Sequence, residues 1–347
     1  MRILIIYPGH SHSTIDIARG YESALKALGH TVRAFNYHDQ LAFYQGSVKY
    51  WMRKNKHFRP DDVGTAIMIA ASEQVIPEAV DFVPDMVLIV NGFALHSRAY
   101  DLLDRLCLPM VLILTESPYL DDEQARIVAQ GHVRMAFTND RISIDRLSED
   151  SGQRIEYLPH SYDPMRHHKK DAVLDKYKSD VYFFGTLWPG RKRLLMPVKR
   201  WCRRHGVKAN IGGIGFEKKK GMRDNDQLIR FYTATKIALN HHRTIRSVKN
   251  GVETHCENAY SLGPRAYEIA ACRAFQLSDD RPELGEVFGD TVPTYTDADD
   301  LIDKIAYYLE HEDERREMTD AAYERVKPCS FENRAREILL PTIEQIL

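Results

Sequence analysis

Residues 2–37 read RILIIYPGHSHSTIDIARGYESALKALGHTVRAFNY, and the order of patterns inside them decides the fold class. RILIIY is a short apolar run, and the polar loop PGHSHS breaks it. TIDIARGYESALKALG then carries helical spacing until Gly29 closes it, and TVRAFNY resumes as a strand. This is a βαβ unit that starts at residue 2, with Ser13 or Thr14 as the expected helix cap.

The pattern recurs along the chain, in DMVLIVNG (85–92), MVLILTES (110–117), RMAFTND (134–140) and RIEYLPH (154–160). A polar stretch, HHKKDAVLDKYKS, follows, and the pattern then restarts with DVYFFGT (180–186), VKANIGG (207–213), KIALNHH (236–242), RAFQLSD (273–279) and TVPTY (291–295). Near-continuous apolar strands of this kind are what a parallel sheet covered on both faces requires. The expectation is an α/β chain of two Rossmann-like, doubly wound domains, 1–165 and 175–330, followed by a terminal helical segment at 331–347 that Pro341 would kink. Sheets of this type carry their ligand loops at the carboxyl ends of their strands, so two of them would face each other across a cleft.

Composition sets limits on partners and compartment. The 347 residues are 44% hydrophobic and carry a formal net charge of -1, so any contact with nucleic acid must come from local basic patches. The five cysteines are scattered, odd in number and never in a CxxC pair. That argues against a disulfide framework or a structural zinc site and suits a reducing cytoplasm. No apolar run reaches 18 residues, and Pro8 interrupts the N-terminal run too early for a signal peptide. A soluble, cytoplasmic protein with no membrane partner is expected.

The loops after strands hold the candidate chemistry. PGHSHST has a single glycine, Gly9, and is not GxGxxG, so dinucleotide binding by that route is not expected. His10 and His12 either orient an acceptor or are solvated loop residues. Glu116 sits at a strand end, where a carboxylate could accept a proton from a substrate hydroxyl. Its bland alternative is a helix-start carboxylate, with Ser117 and Pro118 as cap and first turn and with Asp121 and Asp122 favouring the helix dipole. In GTLWPGRKR, Gly185 allows close approach while Arg191 and Lys192 open a helix, an arrangement that suits phosphate. In SLGPRAYEIAACRAFQLSDD (261–280), Gly263 and Pro264 start a helix that carries Arg265 and Glu268 one turn apart.

The strings EYLPHSYDP, SDVYFFGTLWPGR, KIALNHHR and GPRAYEIAACRAFQLSDDRPELGEVFGDTVPTYTDADDLIDKIAYYLEHEDERREM together resemble GT-B glycosyltransferases of the CgeB-like, group-1-related class. The resemblance covers residues 155–345 well and the N-terminal half only in general plan. It implies a GT-B architecture with an N-terminal acceptor domain, a C-terminal donor domain, and a last helix that crosses back to the first domain. It also implies a nucleoside diphosphate sugar, with UDP-sugar favoured, as co-substrate and no required cofactor or metal. Glu268 is then similar to the carboxylate that holds the ribose hydroxyls, and the Gly263–Pro264 start to the receiver of the diphosphate. Arg191 and Lys192 resemble the cations that neutralise it as it leaves. Asn258 and Tyr260 fall in the same donor segment. Retaining members of the class carry a second Glu where this chain has Tyr260, and Glu253 and Glu257 are the nearest substitutes. Retention is still the favoured outcome, though only weakly for that reason.

For the acceptor, YWMRKNKHFR (50–59) interleaves Trp51 with Arg53, Lys54 and Lys56, cations for phosphates and an aromatic face for bases. FEKKKGMR (216–223) could extend that track. Similar chains are encoded by bacteriophages, in which such enzymes decorate hydroxymethylated pyrimidines. The resemblance therefore implies double-stranded DNA as acceptor. A saccharide or small-molecule acceptor, and an epimerase-like or binding-only protein, stay open beside it.

Overall fold

The computed structural model describes residues 1–9, 12–55, 57, 62–130, 132–216, 225–249, 252–256 and 258–346. His10, Lys56, Glu257 and the lysines of FEKKKGMR therefore lie outside the described residues. The chain divides into two compact units, Met1–Pro159 with Phe331–Leu347, and His160–Ser330.

The first unit holds strands β1 (Arg2–Ile6), β2 (Thr31–Phe35), β3 (Met86–Val90), β4 (Met110–Ile113), β5 (Met135–Thr138) and β6 (Ile155–Tyr157). They form one parallel sheet in the order β2-β1-β3-β4-β5-β6. Its strands alternate between two cores. Leu4, Ile6, Val87, Ile89 and Leu112 face one side, whereas Ile3, Ile5, Met86, Leu88 and Val111 face the other. Both sides are covered, the second by helix His12–Ala27 and by the terminal segment, which contributes Phe331, Ala335 and Leu339. Double burial is why these strands read as continuous apolar runs.

The second unit repeats the plan with β7 (Ser179–Phe184), β8 (Ala209–Gly212), β9 (Thr235–Asn240), an antiparallel hairpin of β10 (Ile245–Lys249) and β11 (Val252–His255), then β12 (Gln276–Asp279) and β13 (Thr294–Tyr295). Its parallel sheet runs β13-β12-β9-β7-β8. Helices Pro189–Arg204 and Ala298–Glu310 cover one face, and Asn225–Ala234 covers the other. No helix of the described residues is long and apolar enough to cross a membrane.

Two local expectations are corrected, and one element adds to them. The first helix already begins at His12, so Ser13 and Thr14 lie inside it rather than capping it. Ser117 and Pro118 do not start a helix. They form a cis peptide in a loop, and the helix Asp121–Val128 begins three residues later with Leu120 at its cap. The β10–β11 hairpin was not foreseen, because IRSVK and VETH lack both the apolar run and the clean alternation that announce a strand.

Candidate functional site

In a doubly wound sheet the ligand crevice lies where strand order reverses. In the second unit that place is between β7 and β9, since the chain leaves β7 for β8 on one side and returns to β9 on the other. The loops after these two strands are tied together by Arg191. Its Nη1 donates to the carbonyl of Thr186 at 3.1 Å, while Nη2 and Nε donate to the carbonyl of His241 at 2.6 and 3.2 Å. Arg191 is 9% exposed. The residue read from sequence as a phosphate cation thus also holds the walls of the crevice in place.

A second guanidinium joins it. A Cβ built on Gly185 would stand 3.2 Å from Arg191 Nη1 and 3.5 Å from Arg265 Nη1, and both cations lie over the Phe183 ring, at 5.6 and 5.8 Å. Arg265 is hydrogen-bonded to the buried hydroxyl of Tyr232. Gly213 closes the floor: with φ +132° and a hypothetical Cβ only 2.0 Å from the Gly185 carbonyl oxygen, no side chain fits there. Lys192, by contrast, is exposed on the outer face of its helix.

The helix Pro264–Ala271 supplies the other wall. Pro264 presets its first turn, and the cap residue Gly263 makes no side-chain hydrogen bond to it. Glycine thus contributes no capping side chain at this helix start, and the dipole favours an anion there. Ala266, Ile269, Ala270 and Ala271 are buried, whereas Gly263, Pro264, Arg265 and Glu268 keep contact with solvent. Glu268 Oε1 lies 3.8 Å from Nε2 of the buried His167. The backbone N–H of Asp163 donates to His167 Nδ1 at 3.0 Å, so the proton of the neutral ring sits on Nε2 and points at the carboxylate. Tyr260 donates to the carboxylate of Glu286, on helix Pro282–Phe288, and Asn258 is exposed. The side chain of Glu253 is not among those described.

Behind the crevice is a cluster that sequence reading missed. Asp279, at the end of β12, accepts from the backbone N–H of His242 at 2.9 Å and stands 2.7 Å from its Nδ1; His241 Nδ1 is 3.9 Å from the same carboxylate and 3.1 Å from the Tyr295 hydroxyl. Burial opposes ionisation of Asp279, but His242 and then His241 outweigh it and hold the carboxyl well below the usual range. Burial lowers His241 to about 4 despite the pull of Asp279, with Arg191 adding to the shift. Burial likewise lowers His160 to about 4, the charge of His242 assisting. The available signal was Asn240-His241-His242 at the end of one strand and Ser278-Asp279 at the end of another. Pairing them needs the register Ser278 to Asn240, which only the sheet reveals.

In the first unit, Glu116 is half-buried just beyond β4, and its backbone N–H donates to Gln124 Oε1 at 3.0 Å. Asp121 stands in the first turn of helix Asp121–Val128, and it is also held in the interior. It is 2% exposed, accepts from Ser143 and Gln124, and is raised by burial above the ordinary carboxyl range. Trp51, Arg53 and Lys54 are all exposed on helix Tyr37–Lys54, where Lys54 lies 5.8 Å over the Tyr50 ring. His12 opens helix His12–Ala27.

Residues 191–340 match the glycosyl transferase-like family model. The spore protein CgeB of Bacillus subtilis (strain 168) is 24% identical over 260 residues, 72% of this chain and 79% of that protein. A sucrose-phosphate synthase from Thermosynechococcus elongatus superposes over 99% of both chains with a TM-score of 0.62 at 9% identity. The fold is GT-B. A second GT-B neighbour is the DNA-modifying β-glucosyltransferase solved in the presence and absence of uridine diphosphoglucose. It has a TM-score of 0.61 over 99% of both chains at 13% identity. Residues 191–340 are thus similar to the glycosyl transferase-like family, and the chain as a whole shares the GT-B fold.

Proposed function

We propose that the chain is a nucleotide-sugar-dependent glycosyltransferase whose donor is a UDP-sugar and whose acceptor is the hydroxymethyl group of a modified pyrimidine in DNA. One observation carries the donor half: Arg191 and Arg265 converge on Gly185 at the switch point of the second sheet, beside the Gly263–Pro264 helix start and Glu268. Cations of this kind match phosphate geometry. Glu268, with two acceptor oxygens, suits the ribose hydroxyls.

In the proposed reaction the bond from the anomeric carbon to the phosphate oxygen breaks, and its electron pair stays on that oxygen. The acceptor oxygen bonds the anomeric carbon, and Glu116 takes the acceptor's proton. Arg191, Arg265 and the Pro264 helix start supply the positive charge that this step calls for, so the proposal includes no metal. The proposal takes retention as the outcome to be tested, because Tyr260 stands in place of a carboxylate.

Two observations support the acceptor half: the exposed Trp51, Arg53 and Lys54 on one helix, and the likeness to a DNA-modifying β-glucosyltransferase. A 5-position substituent projects into the major groove of a duplex, where it is reachable in place or after flipping. The test incubates the protein with a panel of nucleotide sugars and with plain or hydroxymethylated DNA, then weighs the nucleosides. A hexose or pentose increment on the hydroxymethylated base alone supports the reading. Transfer only to saccharides overturns the acceptor, and donor binding without transfer to any acceptor overturns the enzyme.

A further inference from the structure

The imidazole of His242 has one nitrogen accounted for and one that is not. Nδ1 stands 2.7 Å from Asp279 Oδ1, and an ionised carboxylate only accepts, so Nδ1 carries a proton. Nε2 is buried and has no hydrogen-bond partner among the described residues. The residue as a whole is 7% exposed. Buried polar atoms are nearly always bonded, and one left over calls for an explanation.

The surroundings supply it. The ring edge that carries Nε2 faces the start of helix Pro264–Ala271: His242 Cδ2 lies 3.6 Å from where a Cβ on Gly263 would stand. The peptide joining His241 to His242 is gripped on both sides, its carbonyl by Arg191 and its N–H by Asp279. Arg281 braces the flanks by donating to the carbonyls of Ala259 and Arg243, at 2.9 and 2.8 Å. The ring is therefore held in one orientation, with an unsatisfied nitrogen on the side of the helix start, where the cap residue Gly263 has no side chain to bond it.

We infer that His242, aligned by Asp279, is a ligand for the sugar-bearing phosphate of the donor, which Nε2 meets at the start of the Pro264 helix. This rests on the nucleotide-sugar reading above and adds a residue to it. With Nδ1 bonded to Asp279, a second proton on Nε2 makes an imidazolium that donates to a phosphate oxygen, and the carboxylate behind it stabilises that charge. Asp279, His241 and His160 are the titratable groups around the ring, with Arg191 and Arg281 beyond them. When the bond to the anomeric carbon breaks, negative charge grows on the oxygen that His242 contacts.

UDP and UMP differ by the phosphate in question, so the ratio of their affinities isolates it. Calorimetric titration of both is run on the wild-type chain and on His242→Asn, whose amide can still donate to Asp279 but ends short of Nε2. The expected result is a UDP:UMP affinity ratio reduced about tenfold or more with UMP binding unchanged. Asp279→Asn, which leaves the ring without its carboxylate, is expected to shift the ratio the same way and serves if His242→Asn does not fold. A wild-type ratio in a folded variant overturns the inference, as does an equal loss for both nucleotides, which marks a merely structural role. A wild-type chain that binds neither nucleotide overturns the donor reading together with this one.

Discussion

Replacing Arg191 separates its charge from its shape. The guanidinium donates to two carbonyls of different loops, Thr186 at 3.1 Å and His241 at 2.6 and 3.2 Å, from a largely buried position. A hydrogen bond to a charged group contributes about 1.5–3 kcal/mol net, and a carbonyl left buried without a partner adds a comparable penalty. Arg191→Leu, which keeps packing against Phe183, should therefore destabilise the second unit by about 3–5 kcal/mol. For a unit of this size that is roughly a 6–20 °C fall in its melting temperature. Arg191→Lys keeps the charge but not the fork, reaches one carbonyl at most, and should recover about half the loss. Differential scanning calorimetry of the second unit's transition reads all three proteins. If Arg191→Lys melts within about 2 °C of the wild type, the bridging role is wrong and Arg191 is only a cation. If the bridge holds the crevice open for the donor, UDP-sugar affinity falls with stability across the series.

Glu268→Ala should weaken nucleotide-sugar binding by about 1.5–3 kcal/mol, roughly 10- to 150-fold, through loss of a charged acceptor; titration calorimetry showing unchanged affinity would remove Glu268 from the donor site. Gly213→Ala puts a methyl 2.0 Å from the Gly185 carbonyl oxygen at a φ of +132°. A loss of about 3 kcal/mol or more is expected in urea unfolding, and a wild-type midpoint would refute the close approach. His160 and His241 have folded values near 4, below their unfolded value. The unfolded chain therefore binds more protons between pH about 6.5 and about 4. Stability from these two groups is full above that window and falls by a few kcal/mol as pH drops through it. Asp279, held low, stays ionised throughout. Urea unfolding at pH 7 and pH 4.5 measures the slope, and a flat profile in the wild type would refute the burial of both rings.

The sheets were legible because a strand buried on both faces has no polar side to confuse the pattern, as in MVLIV and MVLI. The Pro264 helix was legible for a related reason. Pro264 fixes its start, and the small buried residues Ala266 and Ala270 separate cleanly from Arg265 and Glu268. Tertiary pairing was what local pattern could not supply. His242 meets Asp279 only because β9 and β12 are neighbours in register, and His167 meets Glu268 across about a hundred residues of chain. Asp121 was legible only in part. A carboxylate in a first turn looks like a dipole partner, yet this one is buried in a network with Ser143 and Gln124 that only the packed loops create.

The return of Phe331–Leu347 to the first unit has a consequence for how this chain is made. Phe331 packs edge-on against Tyr21 at 5.0 Å, over Gly20, where a Cβ would come within 2.3 Å of the ring. The first unit thus lacks part of its own core until residues 331–347 have been synthesised. The second unit is an insert, entered and left side by side, since Tyr162 N–H donates to the Cys329 carbonyl at 3.3 Å. During synthesis, the inserted unit can complete its core before the unit that encloses it in sequence, so folding of the two proceeds from the inside out.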